Sequence, residues 1–285
     1  WSFLVNRFSF QYTPSCRQWA EKIVKRTAEP TDRFGGFSWD PALDLDSNST
    51  ITWSEMARDG KIQFTRQQLD VVNLGSTLDG DLFLGPEATL PNFLHKVNDY
   101  QIVHLALPWQ NKNSHLDWEE GVQFSAADSS ALSMRSISGL SLQNDLILFS
   151  GFPKEVSEKA PGYDQLLPYA FHLSGAKAVI NANWEAPTGA RVDLLSRFFS
   201  YAKAGLSSAQ ALQAAKQDFI RQADLPELAH PYYWAAPVLH GHSANLDLQD
   251  ENHDLLQIGL GLGGLALLIL LIHILGDRLR NRWKR

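Results

Sequence analysis

The sequence predicts an α/β domain built on a mostly parallel central sheet, followed by one C-terminal transmembrane helix. Short apolar runs at 102–107, 146–149 and 178–182 are each bounded by polar or turn residues, as central strands buried on both faces are. Helical patterns fall between or after these runs, and strands alternating with helices imply an α/β/α sandwich. The uncharged stretch 255–275 is, at 1.5 Å per residue, roughly as long as a bilayer's hydrocarbon core is thick.

In chain order, Leu4 to Tyr12 alternates as a strand does, and Pro14-Ser15 opens a helix through about Lys25. Residues 30–60 are rich in Pro, Asp, Ser and Gly and read as a long surface loop or a poorly ordered insertion. Thr89 is an N-cap with Pro91 in the first turn, giving a short helix to Val97. After the strand at 102–107 and the strand at 146–149, a helix is predicted from Tyr163 to Leu173. The strand at 178–182 precedes helices at 191–204 and 208–222, the second capped by Ser207 or Ser208. Gly205 closes the first of these as a C′ glycine. Tyr233 to Leu239 reads as a last strand. No internal repeat of domain-building length is present.

The run 255–275 is rich in Leu, Ile and Gly and is interrupted only by Gln257 and His273. Arg278, Arg280, Arg282, Lys284 and Arg285 follow it, with Trp283 among them, while Asp247, Asp250, Glu251 and Asp254 precede it. The basic side stays in the cytoplasm, so the tail 276–285 is placed inside and residues 1–250 outside. A buried core helix would not carry this length and flank asymmetry. Gly259, Gly261 and Gly264 spell G-x-G-x-x-G, but that motif binds nucleotides only between a strand and an amphipathic helix. Gly259 and Gly263 instead form a small-residue face on which another transmembrane helix can pack. No nucleotide site is inferred.

With 285 residues and 44% hydrophobic content, there is material for one large core plus the anchor. The net charge of -6 argues against a nucleic-acid partner, which needs clustered Lys and Arg. The one basic cluster is the tail, which suits anionic lipid headgroups. Cys16 is the only cysteine, so no internal disulfide forms, and an oxidising compartment is permitted without being demonstrated. The chain starts at Trp1 with no signal peptide while its topology demands export, so it reads as the C-terminal piece of a longer protein. Asn48-Ser49-Thr50 matches a glycosylation sequon, a frequent chance match.

A family resemblance emerges from several stretches in register. They are Phe10 to Ser15, Gly85-Pro86-Glu87-Ala88-Thr89, Tyr100 to Ala106 and Asp145 to Ser150. Leu173-Ser174-Gly175-Ala176-Lys177-Ala178-Val179, Asn183-Trp184 and His230 to Gly241 continue it. Together they resemble the CHAT family of caspase-like cysteine peptidases over residues 3 to 242. The resemblance implies a caspase-like three-layer fold and a peptide-cutting Cys-His dyad, in which a thiolate attacks and an imidazole moves the proton.

The dyad is where this chain departs from the family. The family's histidine closes the motif that here begins His104-Leu105-Ala106, and its place is taken by Pro108, followed by Trp109 where Gly is expected. The family's cysteine closes the motif that here reads Phe149-Ser150-Gly151-Phe152, and its place is taken by Phe152. Of the acids usually found after the Trp, only Glu185 is present. Neither Pro nor Phe carries a proton or acts as a nucleophile, so a catalytically degenerate member is expected.

Other side chains offer substitutes for the missing dyad. Cys16 sits by the first predicted helix and reads as a small buried hydrophobe. Ser150 with His104 or His115 is conceivable as a Ser-His pair. Strand alternation, however, turns His104 away from the old catalytic point, which leaves His104 a core histidine and Ser150 bonded to backbone. His240 and His242 share a strand face, with His230 nearby, yet no third metal ligand of definite spacing is evident. Core packing is expected for Trp184 and Trp234, while Trp109 and Trp118 read equally as groove-lining or packing residues. No cofactor or metal is expected. The function expected is a membrane-anchored pseudopeptidase that binds protein partners through Trp109, Trp118 and Phe152, with active Cys or Ser chemistry as the alternative.

Overall fold

The computed structural model describes residues 5, 7, 30–39, 74–75, 77–78, 80–110, 121–125, 131–150, 163–223, 225–243, 245–246 and 248. The chain divides into two units, 1–246 and 247–285. The helix expected from Pro14, the sequon, Cys16, His115 and the stretch 255–275 lie outside the described residues, as does nearly all of the strand expected from Leu4. Among the described residues, no helix is long and apolar enough to cross a membrane.

The larger unit is organised by a sheet in the order β2-β1-β3-β7-β8-β9. Its strands are β1 (Asp32–Ser38), β2 (Asp81–Leu84), β3 (Tyr100–Ala106), β7 (Leu146–Phe149), β8 (Ala178–Ala182) and β9 (Pro237–Gly241). All neighbours pair in parallel except β8 with β9. Strands β3, β7 and β8 are buried along nearly their whole length, which is why their sequences are continuous apolar runs.

Val103, Leu105, Ile147, Phe149 and Val179 point to one face. There they join Phe93 of α1 (Leu90–Lys96), Ile137 of α2 (Met134–Ser138) and Phe171 of α3 (Tyr163–Ser174) in one core. The alternate residues Ile102, His104, Ala106 and Leu148 point to the opposite face and are equally buried. Helices α4 (Thr188–Lys203) and α5 (Ser208–Arg221) pack on one another and complete the described α/β unit.

The predicted starts and stops are visible in the hydrogen bonding. Thr89 Oγ1 accepts from Asn92 N with Pro91 in the first turn of α1. Ser207 and Gln210 form a reciprocal capping box at α5. Gly205 follows α4 with a φ of 89°.

Two readings are corrected. The stretch 30–60 is not loop throughout, since β1 occupies Asp32–Ser38 beside the central strand β3. Gly35 is a packing residue. A Cβ at Gly35 would come within 2.3 Å of the Tyr100 ring, and Phe34 and Phe37 on either side are fully buried. The last strand begins later than predicted and is antiparallel. Pro231–Trp234 is a short helix, α6, because Pro231 sits in its first turn and His230 Nδ1 accepts from Tyr232 N at 3.2 Å.

A second sheet, absent from the sequence reading, joins β4 (Trp109–Gln110), β5 (Gly121–Gln123) and β6 (Ala131–Ser133) antiparallel.

Candidate functional site

In open α/β sheets, ligand sites lie outside the carboxyl ends of the parallel strands. In this chain β1 ends at Ser38, β3 at Ala106, β7 at Phe149 and β8 at Ala182. The residues just beyond those ends are Trp39, Leu107, Pro108, Ser150, Asn183 and Trp184.

Pro108 is buried and fixed. Its carbonyl accepts from Gln123 N at 2.9 Å, and the next residue, Trp109, enters β4 opposite Val122. The chain therefore leaves β3 and passes straight into a hairpin, through a residue with no N–H and a fixed φ. Of Trp109 only the backbone is described, and Trp118 and Phe152 lie outside the described residues.

Ser150 continues the ladder past β7, donating its N–H to Leu105 O at 3.1 Å. Its hydroxyl does not bond to backbone, as the sequence suggested, but meets His104 Nε2 at 2.8 Å. The register explains the meeting. His104 pairs with Leu148 on adjacent parallel strands, so Ser150, two residues on, projects from the same face. Both are buried, His104 at 0% exposure and Ser150 at 4%. Phe34 presents its ring to His104 in a T-shaped contact at 6.5 Å. Ser38 Oγ, also buried, donates to Ala106 O at 3.1 Å on the neighbouring strand pair.

The surroundings of His104 favour its neutral form. Burial, reinforced by the positive charge of Arg191, pulls the His104 imidazole down to about 3. Arg191 comes from the first turns of α4 and is itself 4% exposed. Among the described residues, no partner meets His104 Nδ1. An orphan buried N–H is costlier than an orphan acceptor, and the nearby guanidinium favours a lone pair over a proton. We therefore assign the neutral tautomer in which Nε2–H donates to Ser150 Oγ. In that tautomer the Ser150 hydroxyl accepts a hydrogen bond from the imidazole and does not donate one to it.

Trp184 and Trp234 pack as expected. Trp234 is buried, and Trp184 lies against Ala182, Ala186 and Ala236 while its Nε1 donates to Tyr232 O at 2.8 Å. The sequence reading missed Arg191, Ser38 and Asn181, all buried polar residues. Only Arg191 left a signal, as a cation in the first turns of a helix that otherwise buries Leu194, Leu195 and Phe198. Among the described residues, no group of three or more His, Cys, Asp or Glu is placed to hold a metal ion.

A mostly parallel sheet flanked by helices, with a buried His–Ser pair near the carboxyl ends of β3 and β7, is the frame of an α/β domain. The chain matches the CHAT domain family over residues 2–242 and belongs to that family. No curated protein matches.

Among solved structures, separase from Saccharomyces cerevisiae in its complex with securin is 14% identical, with a TM-score of 0.46. That match covers 84% of this chain and 14% of the other. The Arg-specific cysteine proteinase gingipain R is 10% identical, with a TM-score of 0.42, over 81% of this chain and 52% of the other. This chain thus spans a small part of one neighbour and about half of the other. Likenesses this remote carry no functional argument.

Proposed function

We propose that this CHAT domain does not cleave peptides and serves as a membrane-anchored binding or scaffold subunit, its strand-end cleft turned to a protein partner. The observation that carries the reading is Pro108. It takes the place of the family's catalytic histidine, is buried, and is held by Gln123 through its carbonyl. In the sequence, Phe152 takes the place of the nucleophilic cysteine. Trp109, Trp118 and Phe152 are the partner contacts in this reading, and buried aromatics at such centres contribute about 2 kcal/mol or more each.

The run 255–275 anchors the domain outside the cytoplasm, in the periplasm if the source is Gram-negative, with the basic tail inside. Gly259 and Gly263 offer a face to another transmembrane helix. A reporter fused after Arg285 that worked only on the extracytoplasmic side would reverse this topology.

A second reading, a peptidase using Ser150 and His104, is favoured by their 2.8 Å contact. Burial of both groups weighs against it. So does the cation near His104, where a working triad places a carboxylate to stabilise the imidazolium. The expected outcome is no turnover of a peptide library by the full chain. Turnover that Ser150→Ala or His104→Ala abolishes would replace the first reading with the second.

A further inference from the structure

A lysine ammonium needs water or a carboxylate to hold its charge, and the described lysines divide by which partner they have. Lys96 meets Asp99 at 3.3 Å and Lys177 meets Asp145 at 2.7 Å. Lys203 and Lys216 donate instead to carbonyls, that of Thr77 at 3.0 Å and that of Pro237 at 2.7 Å. Among the described residues, neither of these two forms an ion pair.

The setting of Lys216 is the less favourable of the two for a charge. Its neighbours on α5, Leu212, Ala215 and Phe219, are buried, and its amine reaches the first residue of β9 next to buried Ala236. The carboxylates of the two packed helices are engaged elsewhere. Asp193 holds Arg197, while Asp218 holds both Arg221 and Tyr201. Glu227, on the turn between α5 and α6, faces solvent. Burial therefore sets the charge state, holding the amine down to about 8, so that an appreciable fraction is uncharged near neutral pH. Lys216 is nonetheless partly exposed, which leaves a small reagent a way in.

We propose that Lys216 is an acylation site, taking a small acyl group from an activated donor of the acyl phosphate class. The amine nitrogen attacks the acyl carbon and the C–N bond forms. The C–O bond to phosphate breaks, phosphate leaves with its electron pair, and the proton lost by nitrogen goes to water. The product suits the place better than the reactant. An amide has no charge to bury, and its remaining N–H keeps a donor for the Pro237 carbonyl. Pro237 pairs with Ala182, the last residue of β8, so the site lies at the carboxyl end of the parallel strands.

The test uses the full chain in detergent and needs no variant. Trace labelling with acetyl phosphate near neutral pH, read by peptide mass spectrometry, should acetylate Lys216 about tenfold faster than Lys203. In the urea-unfolded chain the difference should vanish, because it belongs to the fold. After heavier labelling, acetyl-Lys216 should be recovered from the fraction that resists limited proteolysis. Acetylation of Lys216 no faster than that of Lys203 in the folded chain would overturn the proposal. So would a preference that survives unfolding, or acetyl-Lys216 found only in the protease-sensitive fraction.

Discussion

The two ends of the central sheet are held together in different ways. At the amino ends of the strands the fastening is polar and charged. Asp145, just before β7, receives Lys177 at 2.7 Å and Gln101 at 2.8 Å, which ties the starts of β3, β7 and β8. Tyr100 donates to Asp81 at 2.7 Å and joins the starts of β3 and β2; burial, reinforced by this bond, raises the phenol's pKa well above its usual range. Asn144 donates to both Val97 O and Tyr100 O at 2.7 Å. At the carboxyl ends the central strands are joined by neutral groups: the His104–Ser150 bond and the Ser38 hydroxyl on Ala106. Among the described residues, the carboxylates that tie the strands together, Asp81 and Asp145, lie at the amino ends.

The largest effect that can break this contrast is acid. His104 is neutral in the folded protein, with its pKa lowered to about 3 against 6.5 for an ordinary histidine. Because the unfolded chain takes up a proton first, its stabilising contribution is complete above pH 6.5 and is lost as pH falls toward 3. The slope is about 1.4 kcal/mol per pH unit for this group. Chemical denaturation as a function of pH should show that slope, and His104→Leu should flatten it between pH 6 and 4. An unchanged slope in His104→Leu would assign the acid sensitivity to the carboxylates at the other end of the sheet.

A smaller effect sharpens the comparison. Asn144→Ala strands two buried carbonyls and should cost about 2–3 kcal/mol, while Ser150→Ala strands one imidazole N–H and should cost about 1–2 kcal/mol. Urea midpoints of the two variants measure both. A Ser150→Ala cost above that of Asn144→Ala would mean the carboxyl end is the stronger fastening.

Much of this architecture is legible in the sequence where the local signal and the buried environment agree. Strands β7 and β8 coincide with their apolar runs because burial on both faces leaves no alternation to misread. Helix α5 coincides because its capping box is local chemistry.

Failures came where tertiary contacts reverse a local signal. Gly35 and Gly36 look like a turn until the Tyr100 ring explains why no side chain fits at Gly35. The aromatic stretch around Tyr232 and Tyr233 favours strand by propensity, yet Pro231 and the His230 cap make it helical. Strands β4, β5 and β6 are too short to show a period at all. At the site, Pro108 is legible through the family motif, whereas the expected turning-away of His104 does not follow from alternation, because positions 104 and 108 share one side of an extended strand. The Ser150 bond depends on register between strands that are far apart in sequence, and no local pattern encodes that.

The setting of Pro108 bears on reversibility. A histidine restored there would enter a buried turn whose carbonyl is already held by Gln123 and whose next residue is committed to β4. By itself it would supply one member of the family's dyad, while in the sequence Phe152 stands where the motif places the thiol. The first of two required substitutions would thus cost stability and return no activity, so selection has no single step by which to lead the chain back. On the proposed reading the loss behaves as a ratchet, with the backbone of this turn as its pawl.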